Sequence, residues 1–177
     1  MEGGIMFRLI IFGCFGLLVF LKFRSELRRP ESHGFYMFFA FEALLVLGYL
    51  NIQLSGTFNG LRILSVILLV CSGLMAFSGF YGLKRYGRPG KDWEDTTRLI
   101  QQGIFRWIRH PLYTSLMLLA LGILLNHPTS GAVLAFGVAF VFLFLASRIE
   151  EKENMEKFGD DYLSYQRKTK RYLPFLI

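Results

Sequence analysis

Three basic residues stand directly before the fourth long apolar run of this chain: Arg106, Arg109 and His110. Pro111 follows them, and proline suits the first turn of a helix because its missing N–H group would have no partner there. The start of a helix also presents free N–H groups and the positive end of the helix dipole. The pattern is suited to binding a carboxylate or a phosphate, although the arginines alone are also ordinary for a loop beside a membrane span.

A second group of ionisable residues follows the last apolar run. Glu150 and Glu151 lie on a predicted helix that continues past the run, and Gly159 is expected to end that helix. Tyr162 and Tyr165 follow three residues apart, so both rings are expected on one face. This segment is either an ordinary solvated helix with internal ion pairs or the acidic half of a binding site that faces the basic residues.

Glu42 lies inside another apolar run, where an ionisable residue is a functional hypothesis by default. It is expected to face the protein interior, because a carboxylate is costly at the centre of a bilayer. There it either pairs with Arg8 or lies beside a water-filled cleft. His33 and His127 are interpreted as structural or incidental loop residues.

The apolar residues fall in long blocks with the charges between them, and 53% of the 177 residues are hydrophobic. This is typical of a multi-span membrane protein and not of a soluble domain, and the length indicates one domain. We predict an all-α transmembrane bundle with five spans. The fourth is short against the roughly 20 residues that a perpendicular helix needs. The spans are residues 5–23, 34–54, 61–83, 112–125 and 129–147.

The placement of basic residues predicts the orientation of the bundle. Of the 20 Lys and Arg residues, four, seven and seven lie in the segments that follow the first, third and fifth spans. The N-terminus is therefore predicted outside and the C-terminus in the cytosol. The domain then consists of three N-terminal spans (1–83), a cytosolic loop (84–111), a helical hairpin (112–147) and a cytosolic C-terminal segment (148–177). This arrangement brings the basic and the acidic residues to the same side.

Several other classes of protein do not fit the sequence. The net charge of +7 does not indicate nucleic acid binding, because the basic residues flank apolar blocks instead of forming a basic domain. Cys14 and Cys71 have neither metal-ligand spacing nor a disulfide framework, so no metal is expected. The first block lacks the cleavage site of a signal peptide. The loop 86–102 is either a lid over a site or a plain connector.

The ordered set of these residues resembles the integral-membrane methyltransferases related to isoprenylcysteine carboxyl methyltransferase, with phospholipid N-methyltransferases as cousins. That family has Arg-His-Pro-x-Tyr at a helix start, a helical hairpin, a Glu-Glu pair, Phe-Gly, and two tyrosines three apart before a final proline. The departures are Ile104, Ser115, Asn154 and Thr169, where proline, glycine, leucine and valine are common. The matching residues are Gly103, Phe105, Arg109, His110, Pro111, Tyr113, Glu150, Glu151, Phe158, Gly159, Tyr162, Tyr165, Arg171 and Pro174.

The resemblance implies S-adenosyl-L-methionine as the cofactor, bound at the cytosolic face, and a lipidic or prenylated methyl acceptor. The His-Pro helix start would receive the carboxylate of the cofactor, and Glu150 or Glu151 would hold its ammonium or ribose. A carboxylate acceptor is ionised near neutral pH and needs no general base, and Arg167 and Arg171 are candidates to position it. The implied cofactor-binding residues are Arg109, His110, Pro111, Tyr113, Glu150, Glu151 and Tyr162.

The acceptor itself stays open between a prenylcysteine carboxylate, a phospholipid amine, an isoprenoid and a small hydrophobic thiol. A lipidic acceptor is expected to enter from the bilayer, with Glu42 shaping the passage. Two other functions fit the hydropathy: a membrane sterol or steroid reductase that uses NADPH, and a non-catalytic membrane scaffold or small carrier. The Glu-Glu pair favours the methyltransferase over the reductase. Polar residues at one rim, and not along a path at mid-membrane, argue against a carrier.

Overall fold

A computed structural model describes residues 2–51, 59–87 and 97–173 of the chain. Two short 3-10 turns, Glu26–Arg28 and Gly103–Arg106, precede the second and fourth helices. The described residues form six α-helices: α1 (Glu2–Phe23), α2 (His33–Asn51), α3 (Gly60–Tyr86), α4 (Pro111–Asn126), α5 (Ser130–Phe158) and α6 (Asp160–Lys168).

Four of these helices, α1, α2, α3 and α5, are long and apolar enough to cross a membrane, and α4 is a shorter apolar helix of 16 residues. The predicted all-α multi-pass bundle is therefore confirmed. The predicted helix boundaries around the site are also confirmed, since α4 begins at Pro111 and α5 ends at Phe158. Gly159 follows with a φ of 54°, a left-handed conformation that favours glycine.

Side-chain caps fix the starts of two helices at the opposite end from the site. The side chain of Asn59 accepts a hydrogen bond from the N–H of Arg62 (2.9 Å), and that of Thr129 accepts one from Ala132 (3.2 Å). Each cap satisfies one of the N–H groups that a helix start leaves without a partner. The turn between α4 and α5 consists of residues 127–129 alone, so the two helices form the predicted hairpin.

The core of the bundle lies where α2, α4 and α5 meet. Alanines on α5 let the helix backbones approach closely, which is the usual packing of helices in lipid. Most of the large apolar side chains of α1 and α3 are exposed, as expected for surfaces that face acyl chains. The buried residues of this core are Ala43, Leu44, Leu47, Ala120, Leu124, Ala132, Ala135 and Ala139.

A row of small residues on α3 brings α4 close to it. Ser65, Ser72 and Gly79 are spaced seven apart and buried, so they form one stripe along the helix. Ser65 Oγ donates a hydrogen bond to the carbonyl of Gly122 (2.6 Å), and Ser72 Oγ donates one to that of Ser115 (2.8 Å). Such hydrogen bonds and small side chains hold membrane helices together, and here they fix the position of α4 along its length.

We expect Gly82→Ala to lower stability by about 1–3 kcal/mol, the usual cost of overpacking a close contact. A β-carbon at Gly82 would lie 2.8 Å from the ring of buried Phe105, and that ring has no free end to move aside. The midpoint of thermal unfolding in detergent measures the effect. Gly73→Ala on the same helix is the control, since a β-carbon there meets nothing within 4 Å. Equal midpoints for the two variants would contradict the packing described.

The segments that follow α1, α3 and α5 meet at one end of the bundle. The N–H of His33, at the start of α2, donates to Glu153 Oε1 of α5 (3.0 Å), and its ring Nδ1 lies 2.5 Å from Oε2. The hydroxyl of Tyr165 on α6 donates to the carbonyl of Phe105 before α4 (2.7 Å). The three basic segments therefore share one end, as the orientation prediction requires, and His33 has the structural role expected of it.

The side of the membrane on which this end lies stays a prediction, and cysteine labelling tests it. Gly60→Cys and Ser164→Cys, each introduced into Cys14→Ala/Cys71→Ala protein, lie at opposite ends of the bundle, and both parent residues are exposed. A membrane-impermeant maleimide added to intact cells should label position 60 and not position 164. Labelling of position 164 alone would reverse the orientation, and labelling of both would contradict the span count.

Candidate functional site

The segment before α4 pairs with the end of the chain through main-chain hydrogen bonds. The N–H of Arg109 donates to the carbonyl of Lys170 (2.8 Å), and that of His110 donates to Arg171 (3.1 Å). The N–H of Lys170 donates in return to Trp107 (3.1 Å), and Ile108 and Lys170 form a parallel bridge. The paired segments, residues 107–110 and 169–172, thus bring the basic residues at the start of α4 beside the C-terminal tail.

Glu151 of α5 lies at the centre of an ion cluster with three basic residues. Arg109 Nε donates to its Oε1 (2.9 Å), and Arg171 donates to both of its oxygens, from Nε (3.1 Å) and from Nη2 (2.5 Å). His110 Nε2 lies 3.3 Å from the same Oε1. The Glu151 side chain is only 9% exposed, so protein groups and not solvent satisfy this carboxylate.

Arg109 also ties this cluster to the end of α6. Its Nη1 donates to the carbonyls of Thr169 (2.6 Å) and Gln166 (3.2 Å), and the Arg109 side chain is 10% exposed. A planar guanidinium suits such a position, because its donors lie in a rigid fork that serves several acceptors at once. The contacts of Arg109 therefore position the paired segments and leave little of the side chain for a ligand.

Glu150 differs from its neighbour in both burial and contacts. Its Oε2 lies 3.9 Å from Nδ1 of His110, and 32% of its side chain is exposed. The His110 ring is buried, at 3% exposure, and lies between the two carboxylates. Its Nδ1 faces Glu150 and its Nε2 faces Glu151. Of the Glu-Glu pair, Glu150 is the carboxylate that a ligand can reach.

Aromatic rings enclose the cluster. The ring of Tyr113 packs edge-on against His110 with centroids 5.3 Å apart, and Tyr162 lies 5.9 Å from Tyr165. Burial, followed by the charges of Glu151 and Glu150, raises the pKa of Tyr162 above its ordinary value, so its hydroxyl stays protonated. Hydrogen bonding to Glu151 likewise raises the pKa of Arg171. The charged groups of the cluster are thus enclosed by aromatic side chains.

The structure brings all seven predicted cofactor-binding residues to this end of the bundle, but it separates the three residues predicted to act on the acceptor. Arg171 belongs to the ion cluster. Arg167 is exposed on α6 and forms no ion pair with the described residues. Glu42 faces α1, where a β-carbon built at Gly16 would lie 3.4 Å from its Oε2. The roles of Arg167 and Glu42 stay predictions.

Four polar residues that support the site were not predicted from the sequence. The hydroxyl of Thr114 donates to the carbonyl of Tyr172 (3.1 Å), and the hydroxyl of Tyr172 hydrogen bonds to that of Ser147 on α5. Thr169, noted only as a departure from the family pattern, donates to the carbonyl of Tyr165 (2.8 Å). A serine or threonine in an apolar run gives no signal of its partner, because its hydroxyl can also bond within its own helix.

Part of the predicted site lies outside the described residues. The loop interpreted as a lid or a connector, residues 86–102, is described only at 86–87 and 97–102. The final motif residue, Pro174, also lies outside the described part of the chain.

A family model for phospholipid methyltransferases matches residues 61–161, more than half of the chain. Curated proteins named protein-S-isoprenylcysteine O-methyltransferase are also similar to it. That of Mus musculus is 34% identical over 86 residues, 46% of this chain and 29% of the relative. That of Xenopus laevis is 30% identical over 114 residues, 62% and 37% of the two chains, and that of Saccharomyces cerevisiae is 34% identical over 80 residues, 44% and 33%. The chain thus covers about a third of the length of these relatives.

Proposed function

Because this chain belongs to the phospholipid methyltransferase family, we propose that it is an integral-membrane methyltransferase that uses S-adenosylmethionine and acts on a lipidic or prenylated acceptor. The observation that carries the proposal is the pair of neighbouring carboxylates of α5 that lies beside the start of α4. One of them, Glu151, is bound by basic side chains, and the other, Glu150, is one-third exposed beside His110. The names of the curated relatives support the choice of acceptor.

The residues of the site fit the chemical groups of the cofactor. S-adenosylmethionine, when bound, supplies a methyl group already activated by a positive sulfonium. Glu150 offers a carboxylate for the ammonium or the ribose hydroxyls, and a charge-assisted hydrogen bond of this kind is among the stronger ones. Arg171, 17% exposed at the edge of the ion cluster, offers a guanidinium for the carboxylate of the cofactor. Tyr113 and Tyr162 are buried, so they form the walls of the ion cluster and offer a ligand little open surface.

We assign different roles to the buried and the reachable members of the site. Glu151 and Arg109 are positioning residues, because their polar groups are already bound to protein and hold the paired segments in place. Glu150, one-third exposed, and Arg171, 17% exposed, are the binding residues. For methyl transfer the protein has mainly to align the acceptor with the methyl group and to keep water out, which a rigid and largely buried cluster does well.

A carboxylate acceptor, as in isoprenylcysteine, suits these residues best. Such an acceptor is ionised near neutral pH, and the site then has to orient it without removing a proton. Arg171 is bound to Glu151 and is assigned to the carboxylate of the cofactor, whereas Arg167 is exposed, so Arg167 is the better placed of the two candidate arginines to attract the acceptor. A phospholipid amine, an isoprenoid or a hydrophobic thiol are the alternative acceptors.

Titration calorimetry of the purified protein tests the cofactor. We expect heat of binding from S-adenosylhomocysteine and none from NADPH. Binding of NADPH alone would contradict the proposed methyltransferase and favour the alternative function, a reductase. A second assay follows transfer of a labelled methyl group to a farnesylcysteine analogue or to phosphatidylethanolamine. Label that base releases as methanol identifies a methyl ester, whereas base-stable label on the phospholipid would identify the amine as the acceptor.

We propose that Glu42 shapes the route of the acceptor between α1 and α2 and does not touch the cofactor. Glu42 lies nine residues along α2 from His33, about 13 Å from the end of the bundle that holds the site. Glu42→Gln should therefore keep the affinity for S-adenosylhomocysteine and change the KM for the acceptor. The double variant Glu42→Gln/Arg8→Gln is the control for a structural pair. Full activity in the double variant beside an impaired Glu42→Gln would contradict the passage.

A further inference from the structure

A cavity of about 370 Å³ opens beside the paired segments, and Glu150, Glu151 and His110 do not line it. Three basic residues line it from two parts of the chain: Arg106 before α4, and Lys168 and Lys170 at the end of α6. All three are exposed, and none forms an ion pair with the described residues. The family resemblance gives this cavity no role.

The charge of this cavity is of one sign. Its lining contains no aspartate or glutamate, and its remaining side chains are neutral. The guanidinium of Arg106 lies over the ring of Trp107, 5.3 Å from its centroid, which holds the arginine by a cation–π contact without neutralising it. Three basic side chains around one opening, with no carboxylate among the residues that line it, are suited to binding a phosphate.

The floor of the cavity is fixed by hydrogen bonds. Tyr165 and Thr169 line it and are buried, and the hydroxyl of Tyr165 donates to the carbonyl of Phe105. The main-chain bond from Lys170 to Trp107 joins the two segments that carry the basic residues. The cations therefore stand on a preformed surface, so a ligand does not have to order them from separate flexible loops.

We propose that this cavity binds the phosphate of an anionic phospholipid at the surface of the membrane. Trp107 lines it, is 46% exposed and lies four residues before Pro111, the first residue of α4. An exposed tryptophan just outside a span is typical of the level of the lipid headgroups, and clustered Lys and Arg residues there attract anionic lipids. This inference goes beyond the proposed methyltransferase activity and does not depend on it.

Lipid-specific quenching of Trp107 tests the proposal. The chain has two tryptophans, so Trp93→Phe leaves Trp107 as the only one. The full-length variant is reconstituted into phosphatidylcholine bilayers that contain the same mole fraction of either phosphatidylglycerol or phosphatidylcholine with brominated acyl chains. We expect the brominated phosphatidylglycerol to quench Trp107 about twofold more strongly, because lipid bound at the cavity is enriched beside the ring. Equal quenching by the two lipids would overturn the proposal.

Two triple variants separate a site from general charge. Neutralising Arg106, Lys168 and Lys170 to glutamine should abolish the preference for phosphatidylglycerol. The matched control changes Arg24, Arg28 and Arg29, which line another basic cavity, to glutamine. This variant also loses three positive charges, and it should keep the preference for phosphatidylglycerol. Loss of the preference in both triple variants would show attraction by net charge alone and overturn the proposal.

Two further measurements keep the result unambiguous. Lys168→Gln/Lys170→Gln leaves the Arg106–Trp107 contact intact and should lower the preference in the same direction, so the test survives if the triple variant does not fold. In separate samples, inorganic phosphate or potassium chloride is then added at equal ionic strength. Neither salt should remove the preference for phosphatidylglycerol. If phosphate removes it and chloride does not, the ligand is a soluble phosphate and the proposal of a lipid is wrong.

Discussion

We expect Glu151→Gln to lower the free energy of unfolding by about 3–5 kcal/mol, the usual cost of removing one partner from a buried ion pair. The side chains of Glu151, Arg109 and Arg171 are 9%, 10% and 17% exposed, so little solvent is available to replace the lost charge. The two guanidinium groups would remain buried without a counter-charge. Unfolding of the purified protein in mixed micelles with increasing denaturing detergent measures the change.

The neighbouring carboxylate provides the control. Glu150→Gln removes the same charge one residue away, but the Glu150 side chain is one-third exposed, and its one ion-pair contact with the described residues is to His110 Nδ1 at 3.9 Å. Its stability should stay within about 0.5 kcal/mol of the parent protein, as for most surface substitutions. Equal losses in the two variants would mean that Glu151 does not organise the cluster.

The second prediction has the opposite pattern, because Glu150→Gln should lose cofactor affinity without losing stability. The loss of one charge-assisted hydrogen bond to a ligand costs roughly 1.5–3 kcal/mol, which is about a ten- to hundredfold rise in Kd. Titration calorimetry with S-adenosylhomocysteine measures it. The prediction rests on the exposure of Glu150 beside His110, at the end of the bundle where the paired segments meet.

Glu156→Gln is the control for that measurement. Glu156 lies on the same helix, is exposed and belongs to no ion pair of the described residues, so its removal tests the effect of net charge on binding. Its Kd should equal that of the parent protein. An unchanged Kd in Glu150→Gln would show that the reachable carboxylate is only a surface charge, and the site would then have to bind the cofactor elsewhere.

The sequence was a good guide to the helices because hydropathy and helix boundaries are local properties. The apolar runs predicted the apolar helices, Pro111 predicted the start of α4, and Gly159 predicted the end of α5, all of which the structure confirms. The pairing of basic and acidic segments was predictable as well. The segments that follow the first, third and fifth of five consecutive spans all emerge at the same end of a helical bundle.

The division of labour between Glu150 and Glu151 could not be predicted. Adjacent residues on a helix point about 100° apart, so a small difference in the rotation of α5 decides which of them faces Arg109. That rotation is set by packing at distant positions, such as Ala139 and Ala146 against α2 and the start of α4. The identical side chains carry no local signal of the choice.

The close packing of α4 against the small residues of α3 was not predicted, for a different reason. Ser65, Ser72 and Gly79 follow a seven-residue spacing that is visible in the sequence, but small residues in an apolar run leave the hydropathy almost unchanged. Nor could the main-chain pairing between residues 107–110 and 169–172 be predicted. Both segments are too short and irregular to show the alternation that predicts a strand.

The paired segments also set the order in which the protein matures during biosynthesis. Arg109 and its acceptor Thr169 are 60 residues apart, so the ribosome needs roughly 3–12 s to reach the second after the first, at about 5–20 residues per second. In that interval α4 and α5 can enter the bilayer, but Arg109 and His110 still lack the tail that holds them. We therefore expect the ion cluster to form only after α4 and α5 have been synthesised, because Thr169 follows both helices in the chain.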